Sequence, residues 1–237
     1  MFDDESRVWI AQLAKDLDVE PAALMAIVEV ESGGRIFARV AGRHEPLIRF
    51  EGHYFDRLLP VSVREKAVQS GLASPKAGKI DNPRRQSDRW KLLRRAMEIN
   101  RTAALSSCSW GVGQVMGAHW KWLGFGSVDA LVAMARSGLK GQIELMARYI
   151  DKAGLAKALQ ARDWATFARH YNGPAFAKHG YHTKMAAAYA KHSRNPKGEK
   201  SPQSSSTMES LDPPIAGKSR MRRSIRSHLL SIFKWFA

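Results

Sequence analysis

One segment constrains the fold of this 237-residue chain more than any other, the run PAALMAIVEVESGG from Pro21 to Gly34. Proline suits the first turn of a helix, and a glycine pair ends one. Leu24, Ile27 and Val28 recur at the spacing of one helix face. Glu31 is the next member of this apolar stripe. Burial raises the pKa of a carboxyl group, as a general acid working near neutral pH requires, so Glu31 is a candidate general acid. A half-solvated acid at a helix end is the alternative interpretation.

The composition restricts the possible partners and cofactors. The formal charge of +16 and the pI near 10.3 favour an anionic partner, which could be nucleic acid, an anionic membrane surface or an acidic wall polymer. The single cysteine, Cys108, excludes an internal disulfide and a thiolate metal cluster. The eight histidines show no metal-binding spacing such as HExxH. We therefore expect neither a metal nor another cofactor.

The first residues predict where the chain is made. The start, MFDDES, is acidic and lacks the basic and apolar parts of a secretory signal. No apolar run approaches the roughly 18 residues that span a bilayer. We therefore expect synthesis in the cytoplasm without a signal peptide, with export dependent on other factors.

The periodicity predicts a mostly helical domain with one small sheet over residues 1–194. The expected helices are Glu5–Leu17, Pro21–Glu31, Ser87–Asn100 and four more that contain Val128–Ala135, Ile143–Ile150, Trp164–Asn172 and Thr183–His192. Ser87, Ser127 and Asp163 are expected to cap the helices that follow them. Residues 46–50 could be a strand or one side of a hairpin. We expect 35–43 to be irregular, and 60–85 to hold loops and short helices.

Two C-terminal segments differ from this domain in composition. Residues 195–217 are rich in Ser, Pro and charge without a core pattern, which predicts a flexible linker. Residues 218–237 carry apolar residues at helical spacing. Their six charged residues are all positive: Lys218, Arg220, Arg222, Arg223, Arg226 and Lys234. We expect this cationic amphipathic tail helix to bind an anionic membrane surface; the alternative is that it packs on the domain as a final helix.

Three short motifs follow one another along the chain: Glu31-Ser-Gly-Gly34, Ser109-Trp-Gly-Val-Gly-Gln114 and Tyr171-Asn-Gly-Pro174. In this order, with helical chain between them, they resemble the goose-type lysozyme and soluble lytic transglycosylase superfamily. The longer runs AALMAIVEVESGG, LIRFEGHYF and SSCSWGVGQVMGAHW are similar to the N-acetylmuramidase family of bacteriophage endolysins, over residues 5–192. This resemblance implies a mainly α, α+β lysozyme-like fold with a small β-hairpin beside the active-site cleft.

The resemblance also implies an activity and a catalytic acid. It implies an endolysin that cleaves the β-1,4 bond between N-acetylmuramic acid and N-acetylglucosamine in peptidoglycan, after release across the inner membrane of the host. The catalytic acid of the family maps to Glu31, so Glu29, about 200° around the helix, is the less suitable acid. We expect a monomer without a specific nucleic-acid partner. The alternatives are a lytic transglycosylase that forms anhydro-muramic ends, and a basic nucleic-acid-binding protein without enzymatic activity.

The resemblance implies substrate-binding roles for four further residues. Ser109 and Gln114 would line the saccharide groove and hold its N-acetyl and hydroxyl groups. Tyr171 and Asn172 would lie beside the acid on the groove floor. Each position also has a structural interpretation, which is a tight turn for the glycine-rich segment, core packing for Tyr171 and a helix C-cap for Asn172.

Cleavage of a glycosidic bond usually takes two carboxyl groups. Glu51 is the candidate for the second, because it follows the one strand-like segment after the catalytic helix, and in lysozyme-like folds the small sheet lies opposite the acid. The alternative interpretation of Glu51 is a surface or ion-paired residue near Arg49 or His53. Glu45 and Asp56 are weaker choices, and the N-acetyl group of the substrate could also take this role.

Overall fold

The computed structural model describes residues 2–194, so the predicted linker at 195–217 and the predicted tail helix at 218–237 lie outside the described residues. Within 2–194 the chain forms eleven α-helices, five short strands and two 3-10 helices. The α-helices are α1 Asp4–Asp16, α2 Pro21–Ser32, α3 Gly52–Leu58, α4 Val61–Gln69, α5 Gln86–Ile99, α6 Arg101–Ser106, α7 Val128–Arg136, α8 Leu139–Lys152, α9 Ala156–Gln160, α10 Trp164–Asn172 and α11 Tyr181–Ser193. The strands are β1 Phe37–Val40, β2 Arg43–Pro46, β3 Ile48–Phe50, β4 Cys108–Trp110 and β5 Val115–Met116, and the 3-10 helices are Gly117–His119 and Pro174–Phe176.

Helix α2 is the central helix of the domain and packs against both α1 and α11. Residues 22–28 are all buried, so this helix contributes to the core on every side rather than along one stripe. It ends at Gly33, whose φ of 57° is left-handed. In the last turn the Ser32 hydroxyl donates to the Val28 carbonyl at 2.6 Å. The position of Glu31 is therefore fixed by a buried helix with a defined end.

The strands form two small antiparallel sheets. Strands β1 and β2 form a hairpin, and the other sheet has the order β3-β4-β5. The hairpin corrects the expectation that residues 35–43 are irregular. Its two-residue turn, Ala41-Gly42, has φ values of 49° and 78°, and a type I′ turn requires positive φ at both positions. The expectation was wrong because Asn or Asp usually marks such a turn, whereas alanine rarely adopts this conformation.

Residues 60–85 hold one short helix, α4, and a loop, as expected, and the end of this loop covers the free edge of β3. The Asn82 side chain donates to the Phe50 carbonyl at 2.6 Å and accepts from the Phe50 N–H at 2.9 Å. The Gln86 side-chain oxygen accepts the Ile48 N–H at 3.0 Å. These two side chains satisfy the backbone groups of β3 that a further strand would otherwise bind.

The predicted helix caps have different outcomes. Ser127 and Asp163 cap α7 and α10 as expected, each accepting the N–H three residues further on, at 3.1 and 2.9 Å. The cap predicted at Ser87 is wrong, because Arg85 occupies the N-cap position without a side-chain hydrogen bond. The helix begins at Gln86, whose side chain contacts β3, so Ser87 lies within the first turn of the helix and not at its cap.

The fold is mainly helical with small antiparallel sheets, which confirms the predicted fold class. Helix α5 packs against both β1 and β3, and the Trp90 indole N–H donates to the Pro46 carbonyl at 3.2 Å. This packing holds both sheets against α5. In the part of the chain that the structure describes, no helix combines the length and apolar character needed to span a membrane.

Candidate active site

Glu31 lies half-buried at the C-terminal end of α2. Its Oε1 accepts a hydrogen bond of 2.7 Å from Asn172 Nδ2. Burial raises the pKa of the Glu31 carboxyl to about 7, and the hydrogen bond from Asn172 opposes this rise. At neutral pH a substantial fraction of the molecules therefore carries a proton on this carboxyl.

The last two residues of α10 join separate parts of the site. Asn172 binds Glu31, while the buried Tyr171 donates its hydroxyl to the carbonyl of Gly113 at 2.6 Å. A side chain at Gly113 would place its Cβ 2.6 Å from the Cβ of Met146, closer than real atoms approach. The C-terminal end of α10 therefore holds both the acid and the loop that contains Gly113.

Residues 111–114 form a tight turn between β4 and β5, supported by the buried Gln142 of α8. The Val112 N–H donates to the Gln142 side-chain oxygen at 2.9 Å. Gln114 has a φ of 46°, and its side-chain amide donates to the carbonyl of the first glycine of the turn at 2.8 Å. The Ser109 hydroxyl donates to the methionine sulfur opposite it on β5, at 3.2 Å. Saccharide binding by Ser109 and Gln114 stays a prediction.

Glu51 follows β3 and immediately precedes α3. Its Oε1 accepts a hydrogen bond of 2.7 Å from Arg49 Nε, and its Oε2 lies 3.6 Å from His53 Nδ1. The Glu51 N–H donates to the Ser107 carbonyl on the neighbouring chain segment at 2.8 Å. Among the described residues no hydrogen bond joins Glu51 to Glu31, and the catalytic role of Glu51 stays a prediction.

Two other carboxylates near these elements belong to ion pairs. Glu29 accepts hydrogen bonds of 3.0 Å from Lys191 and contacts the His192 ring nitrogen at 2.8 Å, both on α11. The buried Glu45 binds Arg136 through both carboxylate oxygens. Both acids therefore stabilise contacts between elements. Within residues 2–194, no three His, Cys, Asp or Glu side chains come together as a possible metal site.

The comparisons with known proteins identify the family. The model of the N-acetylmuramidase family matches residues 20–193. The chain belongs to the N-acetylmuramidase family. This muramidase is therefore a glycoside hydrolase of the lysozyme-like kind. It is also similar to the crystal structure of the Burkholderia AP3 phage endolysin, with 31% sequence identity, a TM-score of 0.70, and coverage of 80% of this chain and 71% of that chain. No curated protein matches the chain.

Tyr181 of this muramidase lies near enough to Glu31 for the charge of the acid to affect it, although no motif indicates this. Burial raises the pKa of the Tyr181 hydroxyl, the negative charge of Glu31 adds to the rise, and the Arg49 guanidinium opposes it. Tyr181 therefore lies within electrostatic range of both charged groups. The three residues come from α11, β3 and α2, so no short spacing in the sequence reveals their proximity.

Aromatic side chains extend the site beyond Tyr171. Tyr149 packs edge-on against Tyr171 with ring centroids 5.4 Å apart. His119 and Trp122 pack against Tyr149 at 5.6 and 5.7 Å. Burial lowers the pKa of His119 to about 4, so its ring is neutral at neutral pH. Trp122 is partly exposed, and an exposed aromatic face can contribute apolar contact to a bound ligand.

Replacement of the buried acid should increase stability in a pH-dependent way. We expect Glu31→Gln to raise the free energy of unfolding by up to about 3 kcal/mol at pH 8 and to leave it nearly unchanged at pH 4. The carboxyl loses its proton near pH 4.5 in the unfolded chain but only near pH 7 in the folded one. Between these values the unfolded state alone releases the proton, so wild-type stability falls as the pH rises. Urea unfolding at both pH values measures the difference.

Glu29→Gln is the matched control for this measurement. Although burial opposes it, hydrogen bonds from Lys191 and His192 lower the pKa of Glu29. Loss of this carboxylate should therefore reduce stability at pH 8, by less than about 1 kcal/mol because the pair with Lys191 is solvated. Equal stability of Glu31→Gln and wild type at pH 8 would show that the Glu31 carboxyl is not held in its neutral form.

Proposed function

We propose that this muramidase hydrolyses the β-1,4 bond between N-acetylmuramic acid and N-acetylglucosamine in peptidoglycan, with Glu31 as the general acid. The observation that carries the proposal is the half-buried Glu31 carboxyl, whose pKa of about 7 leaves a proton available at neutral pH. Membership of the N-acetylmuramidase family supports peptidoglycan as the substrate. The same membership argues against the alternative of a protein without enzymatic activity.

The geometry supports a simple first step. Protonated Glu31 gives its proton to the glycosidic oxygen as the bond to the sugar breaks, and becomes a carboxylate. The Asn172 amide donates to Glu31 Oε1 at 2.7 Å, so it stabilises the carboxylate that this step forms. Because the general acid must be protonated, we expect the rate to fall as the pH rises through about 7.

Glu51 is the candidate for the second carboxyl group, which would activate water or stabilise the positive charge on the sugar. Its contacts with Arg49 and His53 support either a positioned catalytic group or an ion pair of the scaffold. Assistance by the N-acetyl group of the substrate is the alternative. A lytic transglycosylase outcome would then become possible, whereas the classification as a hydrolase favours attack by water.

The biological setting of the proposal is lysis of a host cell by a bacteriophage. Similarity to the AP3 phage endolysin supports this role. In this proposal the protein acts on the wall after release across the inner membrane of the host. We also assign residues 218–237, with their six positive charges, to an anionic membrane surface. Each of these charges near an anionic leaflet contributes about 1 kcal/mol to binding.

Product analysis of digested peptidoglycan tests the reaction. Mass spectrometry should show fragments with a reducing N-acetylmuramic acid end, and Glu31→Gln should lower their rate of formation by at least about a hundredfold. Glu29→Gln, the matched control, should keep wild-type activity. Anhydro-muramic ends would establish a lytic transglycosylase, and reducing N-acetylglucosamine ends would contradict both reactions. A folded Glu31→Gln variant with wild-type activity would overturn the assignment of the acid.

The second carboxyl is tested by Glu51→Gln, with Asp56→Asn as the control for a nearby acid. If Glu51 activates water, its amide variant should lose more than about tenfold in rate, while Asp56→Asn should not. A variant that keeps more than about a tenth of the rate changes the barrier by less than ~1.4 kcal/mol, too little for an essential base. In that case the N-acetyl group becomes the favoured partner of Glu31.

Deletion of residues 195–237 tests the tail. We expect the shortened protein to keep its activity on purified peptidoglycan, because the family model matches residues 20–193. It should bind anionic vesicles less well and kill intact cells less efficiently. Full-length protein with the six cationic residues of 218–237 changed to Gln is the matched control. An unfolded deletion variant would make the tail a structural helix, and unchanged vesicle binding would contradict a membrane role.

A further inference from the structure

The Asn172 side chain has two polar atoms beside the candidate acid, and within residues 2–194 only one of them has a partner. Its Nδ2 donates to Glu31 Oε1 at 2.7 Å. Its Oδ1 is buried and accepts no hydrogen bond from any residue in 2–194. A buried carbonyl oxygen without a donor is unfavourable, and most such oxygens in folded proteins are satisfied. The unpaired Oδ1 therefore calls for a donor that the site supplies in another state.

The carboxyl group of Glu31 is such a donor when it is protonated. A carboxylate only accepts hydrogen bonds, whereas a neutral carboxyl group also has one O–H donor. Oδ1 and Nδ2 belong to one planar carboxamide, and Oε1 and Oε2 belong to one planar carboxyl group. While Nδ2 stays on Oε1, a proton on Oε2 can therefore be donated to Oδ1, which gives two parallel hydrogen bonds. The pKa of about 7 supports this pairing, because the neutral form of Glu31 is then well populated at neutral pH.

The ionisable groups around Glu31 leave this role to Asn172. The hydroxyl groups of Tyr171 on α10 and Tyr181 on α11 stay neutral at neutral pH, because burial raises the pKa of both. Burial and the Asn172 amide are the causes that set the pKa of the Glu31 carboxyl. Three basic side chains of α1 and α11 contact other residues of α2, and these are Arg7, Lys191 and His192.

We propose that the Asn172 side chain binds both forms of the candidate acid, with Nδ2 holding the carboxylate and Oδ1 accepting the proton of neutral Glu31 in the free enzyme. Asn172 is thus a positioning residue for the general acid. When the glycosidic oxygen reaches Glu31, it replaces Oδ1 as the acceptor of the proton. The bond to the sugar then breaks, and Nδ2 stabilises the carboxylate that remains. This assignment rests on the proposed function and deepens it.

Nuclear magnetic resonance of the full-length protein without substrate tests the second hydrogen bond. The chain has four asparagines, so isotope labelling of asparagine alone gives few side-chain signals. The carboxamide carbon of Asn172, Cγ, is followed between about pH 5 and about pH 9. We expect its signal to move downfield as the pH falls through about 7, because protonated Glu31 then donates to the attached oxygen.

Two controls accompany this titration. Glu31→Gln is a fixed analogue of the neutral acid, because an amide N–H replaces the carboxyl O–H at every pH. In this variant the Asn172 Cγ signal should keep its low-pH position throughout. Asn82 is the matched control, because its carboxamide already donates to the Phe50 carbonyl at 2.6 Å and accepts the Phe50 N–H at 2.9 Å. Its Cγ signal should not change with pH.

Rate measurements on purified peptidoglycan distinguish positioning from packing. Asn172→Leu removes both polar atoms at similar size, whereas Asn172→Ser keeps a hydroxyl that can accept the proton. At about pH 6 we expect Asn172→Leu to lower kcat about tenfold and to change KM by less than about twofold, because the acid loses its orientation and substrate contacts remain. Asn172→Ser should recover part of the loss. A folded Asn172→Leu variant with wild-type kcat would overturn the proposal.

The titration separates this proposal from the assignment of the reaction, because it uses no substrate. An Asn172 Cγ signal that is independent of pH would overturn the second hydrogen bond, even if Glu31→Gln abolishes activity and so supports Glu31 as the acid. A Cγ signal in Glu31→Gln at the high-pH position of the wild type would overturn it as well. Conversely, an active Glu31→Gln variant would overturn the proposed general acid, whatever the titration shows.

Discussion

The hydrogen bond between Asn172 and Glu31 is the interaction on which the rest of the site depends. It spans 2.7 Å and joins the ends of α2 and α10, which lie 141 residues apart in the chain. Two effects on the pKa of Glu31 oppose each other here. Burial favours the neutral carboxyl, whereas the amide donor favours the carboxylate. Burial is the larger effect, and the pKa of about 7 results. Such burial requires α2 to occupy the centre of the domain, and residues 22–28 are accordingly buried.

Adjacent residues at the end of α10 connect this acid to the remainder of the site. Asn172 contacts Glu31, and Tyr171 contacts the Gly113 carbonyl through a hydrogen bond of 2.6 Å. One helix end therefore sets the distance between the acid and the 111–114 turn. Support from Gln142 on α8 fixes the turn from a second direction. A site held by several packed elements keeps its geometry without the substrate, which is the arrangement that efficient catalysis requires.

The sequence predicts the parts of this structure whose signals are local. The helix end at which Glu31 lies is indicated by Pro21 and the glycine pair, and the caps at Ser127 and Asp163 follow from residue type and spacing. The β1–β2 hairpin could not be predicted in this way, because its Ala41-Gly42 turn lacks the usual residues. The cover of β3 by side chains from 82–86 depends on contacts between distant segments, which no spacing encodes.

The carboxylates of the folded domain differ in their partners between the supporting elements and the candidate site. Elsewhere in the described chain, several carboxylates have a cationic partner on another element, as Glu45 has in Arg136 and Glu20 has in Arg162. At Glu31 the arrangement differs, because burial raises the pKa of the carboxyl and its hydrogen-bond donor is the neutral Asn172 amide. A carboxyl with a raised pKa lowers the stability of the folded protein at neutral pH, and in the proposed mechanism its proton passes to the substrate. The raised pKa of Glu31 therefore indicates the candidate site independently of any motif.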